Sequence, residues 1–89
     1  MSESTLAAMT EFHQARLVAL DNWPTAESAL SSQGDRVGAV AEALGVSDLG
    51  AQSVLAMAGG PLPQRSRIAA ELSSIQYLQQ MLADRSSTA

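Results

Sequence analysis

Residues Ser47 to Met57 read SDLGAQSVLAM and are followed at once by Ala58-Gly59-Gly60-Pro61. The hydroxyl of Ser47 can accept a hydrogen bond from an amide one turn on, and Asp48 then lies where the helix dipole favours negative charge. The two glycines and the proline favour the end of a helix. The stretch therefore predicts a short, capped helix with a sharp stop.

The apolar side chains of this helix cover more than one of its faces. Only Gln52 and Ser53 give polar relief among Leu49, Val54, Leu55 and Ala58. Such a helix needs cover on two sides. A chain of 89 residues has few elements that can give it, so we expect a second copy of the chain to supply part of the cover.

Composition points the same way. Small domains usually rely on disulfides, metals or oligomerisation for stability. This sequence has no cysteine and one histidine, which disfavours disulfides, thiolate metal sites and histidine-rich metal clusters. We therefore predict no metal and no cofactor, and we expect oligomerisation.

The charge balance is acidic, with five arginines, no lysine, nine carboxylates and a net charge of −4. Clustered basic side chains supply most nucleic-acid affinity, so direct nucleic-acid binding is disfavoured. The N-terminus lacks the features of a targeting signal, and no run of 18 apolar residues occurs. We expect a cytoplasmic protein without membrane association.

Apolar spacing and stop signals predict the other helices. The expected elements are a helix over 5–20, a short helix capped by Asn22 that runs through Leu30, a helix capped by Asp35 and stopped by Gly45, the Ser47 helix, and a helix over 64–84. No segment has the alternation of a strand. The prediction is an all-α domain over residues 5–84, with two longer antiparallel helices bracketing three short ones and with disordered termini over 1–4 and 85–89.

The last helix carries two apolar stripes of unequal strength. The stronger is a seam with spacings of 4, 3, 3 and 4, made by Ile68, Leu72, Ile75, Leu78 and Leu82. Tyr77 and Met81 form the weaker one. The polar residues between them are mostly uncharged, which suits a surface partly covered by protein.

No constellation predicts catalysis, and we expect a protein that is not an enzyme. His13 lies on the apolar stripe of the first helix, a position more typical of a packed or interface residue than of a general base. No serine lies in a Gly-x-Ser-x-Gly turn. Arg65 and Arg67 form a small basic pair whose simplest interpretation is a solvated face, the alternative being contact with an acidic partner.

Residues Ala41 to Ala51 fit the small-residue pattern of a helix-turn-helix, with Gly45 at the turn. The would-be recognition helix offers Gln52 and Ser53, but no basic residue occurs between Val37 and Gln64. Tight helix packing is therefore the preferred interpretation, and a DNA-binding regulator is the alternative.

Two blocks of sequence resemble a known family. Leu17-Val-Ala-Leu-Asp-Asn22 and Leu44-Gly-Val-Ser-Asp-Leu-Gly-Ala-Gln-Ser-Val-Leu-Ala-Met57 are similar in order and spacing to segments of the C-gate region in the A subunit of bacterial DNA gyrase and in its topoisomerase IV counterpart. Those segments run Leu-Ile-Ala-Leu-Asp-Asn and Gly-Leu-Ser-Glu-x-Gln-Ala-x-Ala-Ile-Leu-Asp-Met. The resemblance covers residues 12–84.

The resemblance implies a structural role. In the family this region is a helical knob at the end of an antiparallel coiled coil, and two knobs meet in a two-fold dimer. It implies a homodimer here, with the A subunit of gyrase or its topoisomerase IV counterpart as a further candidate partner. The expected dimer interface comprises Leu49, Gln52, Val54, Leu55, Met57, Ala58 and Leu62.

This chain departs from the family in two places. Ala58-Gly59-Gly60-Pro61 ends a helix that continues in the family with alternating arginine and leucine, and no counterpart of the family's nucleophilic tyrosine is present, because Tyr77 matches no catalytic position. The expected function is a non-catalytic homodimerisation or protein-interaction module that modulates or pairs with a type IIA topoisomerase.

Overall fold

The computed structural model describes residues 2–88. Its elements are α1 (Glu3–Asp21), α2 (Trp23–Leu30), α3 (Arg36–Leu44), α4 (Asp48–Met57) and α5 (Arg65–Thr88). No strand occurs within 2–88. The predicted all-α class, with two longer helices bracketing three short ones, is confirmed.

Local capping chemistry sets the starts of α3 and α4. The Asp35 side chain accepts a hydrogen bond from the Gly38 N–H, and the Ser47 hydroxyl accepts one from the Gly50 N–H. Gly45 ends α3 in the left-handed region, at a φ of 66°, a conformation that costs other L-residues roughly 1–2 kcal/mol. These three predictions are confirmed.

Asn22 differs from its predicted role. It precedes α2, but its side chain makes no capping hydrogen bond to that helix. Its Nδ2 instead donates to the carbonyl oxygen of Val18, in the helix before. The side chain thus closes the end of α1, while Pro24 occupies the first turn of α2 as expected.

The two long helices extend further than predicted. α1 begins at Glu3 rather than Thr5, because the Ser2 side chain caps it by accepting from the Thr5 N–H. α5 continues to Thr88 rather than Asp84, and its last residues include no glycine or proline to stop it. Residues 3–4 and 85–88, which the sequence analysis assigned to the termini, thus lie within helices, while Met1 and Ala89 lie outside the described residues.

α1 is the central helix, since it packs against each of the other four. α5 runs antiparallel along it. Arg65 at the start of α5 meets Asp21 at the end of α1, Glu71 meets His13, and the second half of α5 meets Leu6. The predicted antiparallel pair of long helices is present, and α1 is the helix against which the other four pack.

Small side chains let α4 approach α1 closely. Ala15 and Ala19 of α1 are buried in the same apolar cluster as Ala51 and Val54 of α4. Gly50 lies so near α1 that a Cβ atom added there would be 2.8 Å from the Ala15 Cβ. The remaining buried members of the cluster are Ala26, Val40, Met57 and Ile68.

The molecule is longer than a compact domain of its size. Its Cα radius of gyration is 14.5 Å, whereas a compact 89-residue domain has a radius of about 12 Å. It exposes 5546 Å², roughly 10% more than the about 5,000 Å² typical of a monomer of this mass. The elongation follows from α5, which contacts α1 but packs extensively against none of the other described helices.

Candidate functional site

The residues predicted to form a dimer interface fall into two groups. Val54 and Met57 are buried inside the single chain, with 0% and 7% of their surfaces exposed. They belong to the core of one molecule and are removed from the candidate interface. Leu49 and Leu55 are half-buried, and Gln52, Ala58 and Leu62 are exposed.

The cover that α4 needs comes from within the chain. α4 packs against α1 on one side and against α3 on another. A second copy is therefore not required to bury it. The apolar residues of α1 also lie on more than one face, so this helix can cover α4 and α5 at once.

Ser53 is buried, although it is a polar residue. It is 1% exposed, and its hydroxyl has no hydrogen-bond partner in the structure. The surface of α4 is provided instead by Asp48, Gln52 and Ala56, four residues apart and hence on one face. This face has an acidic side chain and no basic one, so it lacks the groups that contact phosphate in a recognition helix.

His13 belongs to α1 and packs against α5. Its Nδ1 lies 2.8 Å from the Met9 carbonyl oxygen, and its Nε2 lies 3.0 Å from Glu71 Oε2. Both ring nitrogens thus lie within hydrogen-bonding distance of an oxygen atom. The imidazole is 14% exposed, and its contact with Glu71 joins α1 to α5.

Glu71 could not be identified as the partner of His13 from sequence. The observed partner is 58 positions away along the chain and lies on another helix. Arg67 also approaches Glu71, with Nε 3.6 Å from Oε1.

Arg65 makes the best-defined ion pair. Its Nε donates to Asp21 Oδ1 at 2.7 Å and its Nη2 to Oδ2 at 3.2 Å. The hydrogen bond from Arg65 holds the pKa of Asp21 below its usual range, and the same bond raises the pKa of Arg65. Arg65 and Arg67 therefore pair with carboxylates of their own chain.

The most exposed large apolar side chains lie on α5 and just before it. Tyr77 is 66% exposed, Leu78 41% and Met81 43%, and Leu62 in the connection from α4 is 41% exposed. The sequence placed Leu78 on the buried seam, but only Ile68, Leu72 and Ile75 of that seam are buried. Seam spacing alone does not tell which of two adjacent helix faces contacts α1.

An apolar groove of about 170 Å³ lies between α1 and the second half of α5. Leu6 forms its floor, and Leu78, Met81, Leu82 and Arg85 complete its lining. A second apolar depression of about 170 Å³ lies beside the N-terminal half of α1 and is lined by Thr5, Ala8, Met9, Phe12 and Leu49. The groove and the depression can therefore each contact an apolar side chain of a partner.

A pocket of about 640 Å³ between α2 and α3 has different properties. Glu42 is its only charged lining residue, and the others are Pro24, Thr25, Ser28, Ala29, Ala39 and Ala43. One carboxylate without a second titratable group gives no acid–base pair. Within residues 2–88 no group of three or more His, Cys, Asp or Glu side chains is placed to hold a metal ion.

No described helix combines the length and apolarity needed to cross a membrane. No protein-family model matches the sequence, no curated protein matches it, and no solved structure matches the fold. The candidate site is therefore defined by the chain's own surface, in which exposed apolar side chains are the main feature.

Proposed function

We propose that this chain is a non-catalytic protein-interaction module that forms a homodimer. The observation that carries the proposal is the exposure of Leu62, Tyr77, Leu78 and Met81 on a domain with an unusually large surface for its mass. Tyr77, Leu78 and Met81 adjoin one another on α5, and a contiguous exposed apolar patch on a monomer typically marks an interaction surface. The 46% hydrophobic composition of the chain is not all taken up by its core.

The C-gate resemblance suggests where the two copies meet. In that arrangement Leu49, Leu55 and Leu62 form the apolar part of the contact, and Gln52 and Ala58 lie at its edge. All five keep some exposed surface.

The test is solution mass against concentration by sedimentation, for the native chain and for Leu62→Asp. Leu62 is the preferred site because its exposure allows the variant to fold, whereas Leu55 packs against the core cluster. A dimer is expected for the native chain. If the native chain stays monomeric over a 100-fold range of protein concentration, the proposal is rejected.

The modulator role needs its own experiment. The chain is mixed with the A subunit of gyrase under conditions that allow exchange of protomers, and the mass of the resulting species is measured. The proposal expects a mixed species that contains both chains. If only the two parent species are recovered, pairing with a topoisomerase is abandoned and the homodimer proposal stands on its own.

A further inference from the structure

We propose that the homodimer forms through α5, by antiparallel packing of one exposed stripe of this helix against the same stripe of a second copy. The proposal rests on the homodimer proposed above and changes the place of contact. The stripe consists of Arg67, Glu71, Ser74, Leu78, Met81 and Arg85, hereafter the α5 stripe. All six residues are exposed.

The spacing of the α5 stripe is that of a helix–helix seam. Its members follow one another at intervals of 4, 3, 4, 3 and 4 residues, the alternation that keeps one line of side chains facing a partner helix. The buried residues Ile68, Leu72 and Ile75 occupy a neighbouring face of α5, which packs on α1. α5 thus carries two seams, and the chain itself covers one.

The middle of the stripe is apolar and its surroundings are uncharged. Leu78 and Met81 lie at its centre with Tyr77 beside them, and no charged residue occurs from Leu72 to Ala83. Twelve consecutive residues without a charge are unusual for a helix that packs extensively against only one other described helix and otherwise faces water. They suit a helix that is covered by protein.

Two charged residues placed symmetrically about Leu78 favour a second copy in antiparallel orientation, in addition to the contacts that one of them, Glu71, makes with His13 and Arg67 of its own chain. Glu71 lies seven residues before Leu78 and Arg85 lies seven residues after it. Antiparallel packing centred on Leu78 therefore brings Glu71 of each copy opposite Arg85 of the other. Parallel packing would place each of these charges opposite its own kind, which is unfavourable.

The dimensions fit such a contact. Fifteen residues from Glu71 to Arg85 span about 21 Å of helix, and the groove floored by Leu6 adjoins Leu78 and Met81, so that an apolar side chain of the second copy can enter it. The surface that the chain exposes beyond a compact monomer is about 500 Å². A stable interface covers about 800 Å² on each partner, so the contact must also cover surface that a compact monomer would expose.

Cysteine cross-linking tests the contact directly, because the chain has no cysteine of its own. At the centre of a two-fold antiparallel contact, position 78 faces position 78 of the other copy. Leu78→Cys is expected to form a disulfide-linked dimer under mild oxidation at low protein concentration. Gln76→Cys, exposed on another face of the same helix, is the matched control and is expected to remain mostly unlinked.

Sedimentation provides the second measurement. Leu78→Glu places a carboxylate at the centre of the contact twice, and it is expected to raise the dissociation constant by at least about 100-fold. Gln76→Glu adds the same charge to the same helix away from the stripe, and a change within about threefold is expected. Helical circular dichroism shows whether each variant is folded.

The outcomes separate the two proposals. If the native chain is a dimer and Leu78→Glu is still a dimer, the α5 contact is overturned and the homodimer stands. The same conclusion follows if Leu62→Asp abolishes the dimer while Leu78→Cys fails to cross-link. A native chain that is monomeric throughout would overturn both. Loss of the dimer in Leu78→Glu together with selective cross-linking at position 78 would establish the contact.

Discussion

Gly50 is the residue at which α4 comes closest to α1. A Cβ atom there would lie 2.8 Å from the Ala15 Cβ and 3.4 Å from the Glu11 carbonyl oxygen. Overpacking of this kind costs about 1–3 kcal/mol, and the better helix propensity of alanine offsets up to about 1 kcal/mol. We expect Gly50→Ala to lower the free energy of unfolding by about 1 kcal/mol in urea denaturation.

Gly34→Ala is the control for this prediction. A Cβ atom at Gly34 meets nothing within 4 Å, and the backbone φ there is not positive. Its free energy of unfolding is expected to be unchanged or raised by up to about 1 kcal/mol. Equal stability of the two variants would show that α1 and α4 can separate without cost.

The residues whose roles were predicted correctly from the sequence are those that act on near neighbours along the chain. Ser47, Asp35 and Gly45 act through atoms three or four positions away, so their chemistry can be inferred locally. Ser53 and Leu78 depend on which side of their helix meets α1. That choice is made by distant residues, and both were misplaced.

At the scale of the element, the ends of α1 and α5 are joined by one exposed ion pair. Because Arg65 lowers the pKa of Asp21, the charged carboxylate is favoured in the folded state. The pair therefore contributes stability at a pH above the ordinary carboxyl pKa of about 3.9, and this contribution is lost as the pH falls through the lowered, folded-state pKa.

Asp21→Asn is expected to be slightly less stable than the native chain at pH 7, with the difference shrinking below about pH 4. Both side chains of the pair are about half exposed, so the effect is small and decreases with salt. Urea denaturation at several pH values measures it. Glu27→Gln, at an exposed carboxylate without an ion pair among the described residues, is the matched control and should leave the free energy of unfolding at pH 7 nearly unchanged.

The number and order of the helices could be predicted from the sequence, whereas their packing could be predicted only in part. Stop signals such as Gly45 and Gly59-Gly60-Pro61 are local, so five helices and their order followed from the sequence. The apolar faces of α4 were correctly identified, and the expected second copy is not needed to bury them, because α1 and α3 pack against this helix. The interaction surface consequently has to be sought on α5 as well as near Leu62.

At the scale of the whole molecule, the elongated shape and the proposed dimer have a thermal consequence. If two folded chains dissociate as they unfold, mass action makes the melting temperature rise with protein concentration. Each tenfold increase adds about 1.4 kcal/mol per dimer, or about 0.7 kcal/mol per chain. For a domain of this size we expect Tm to rise by about 3–6 °C per tenfold increase.

Calorimetry over a 100-fold range of concentration measures this slope, with repeat scans to establish reversibility. Leu78→Glu provides the internal comparison, since a folded chain that does not dimerise has a Tm independent of concentration. Within the native chain, the same absence of slope would mean that the exposed apolar side chains are not covered by a second copy. The variant also separates dimerisation from folding, because only the native chain should show a Tm that depends on concentration.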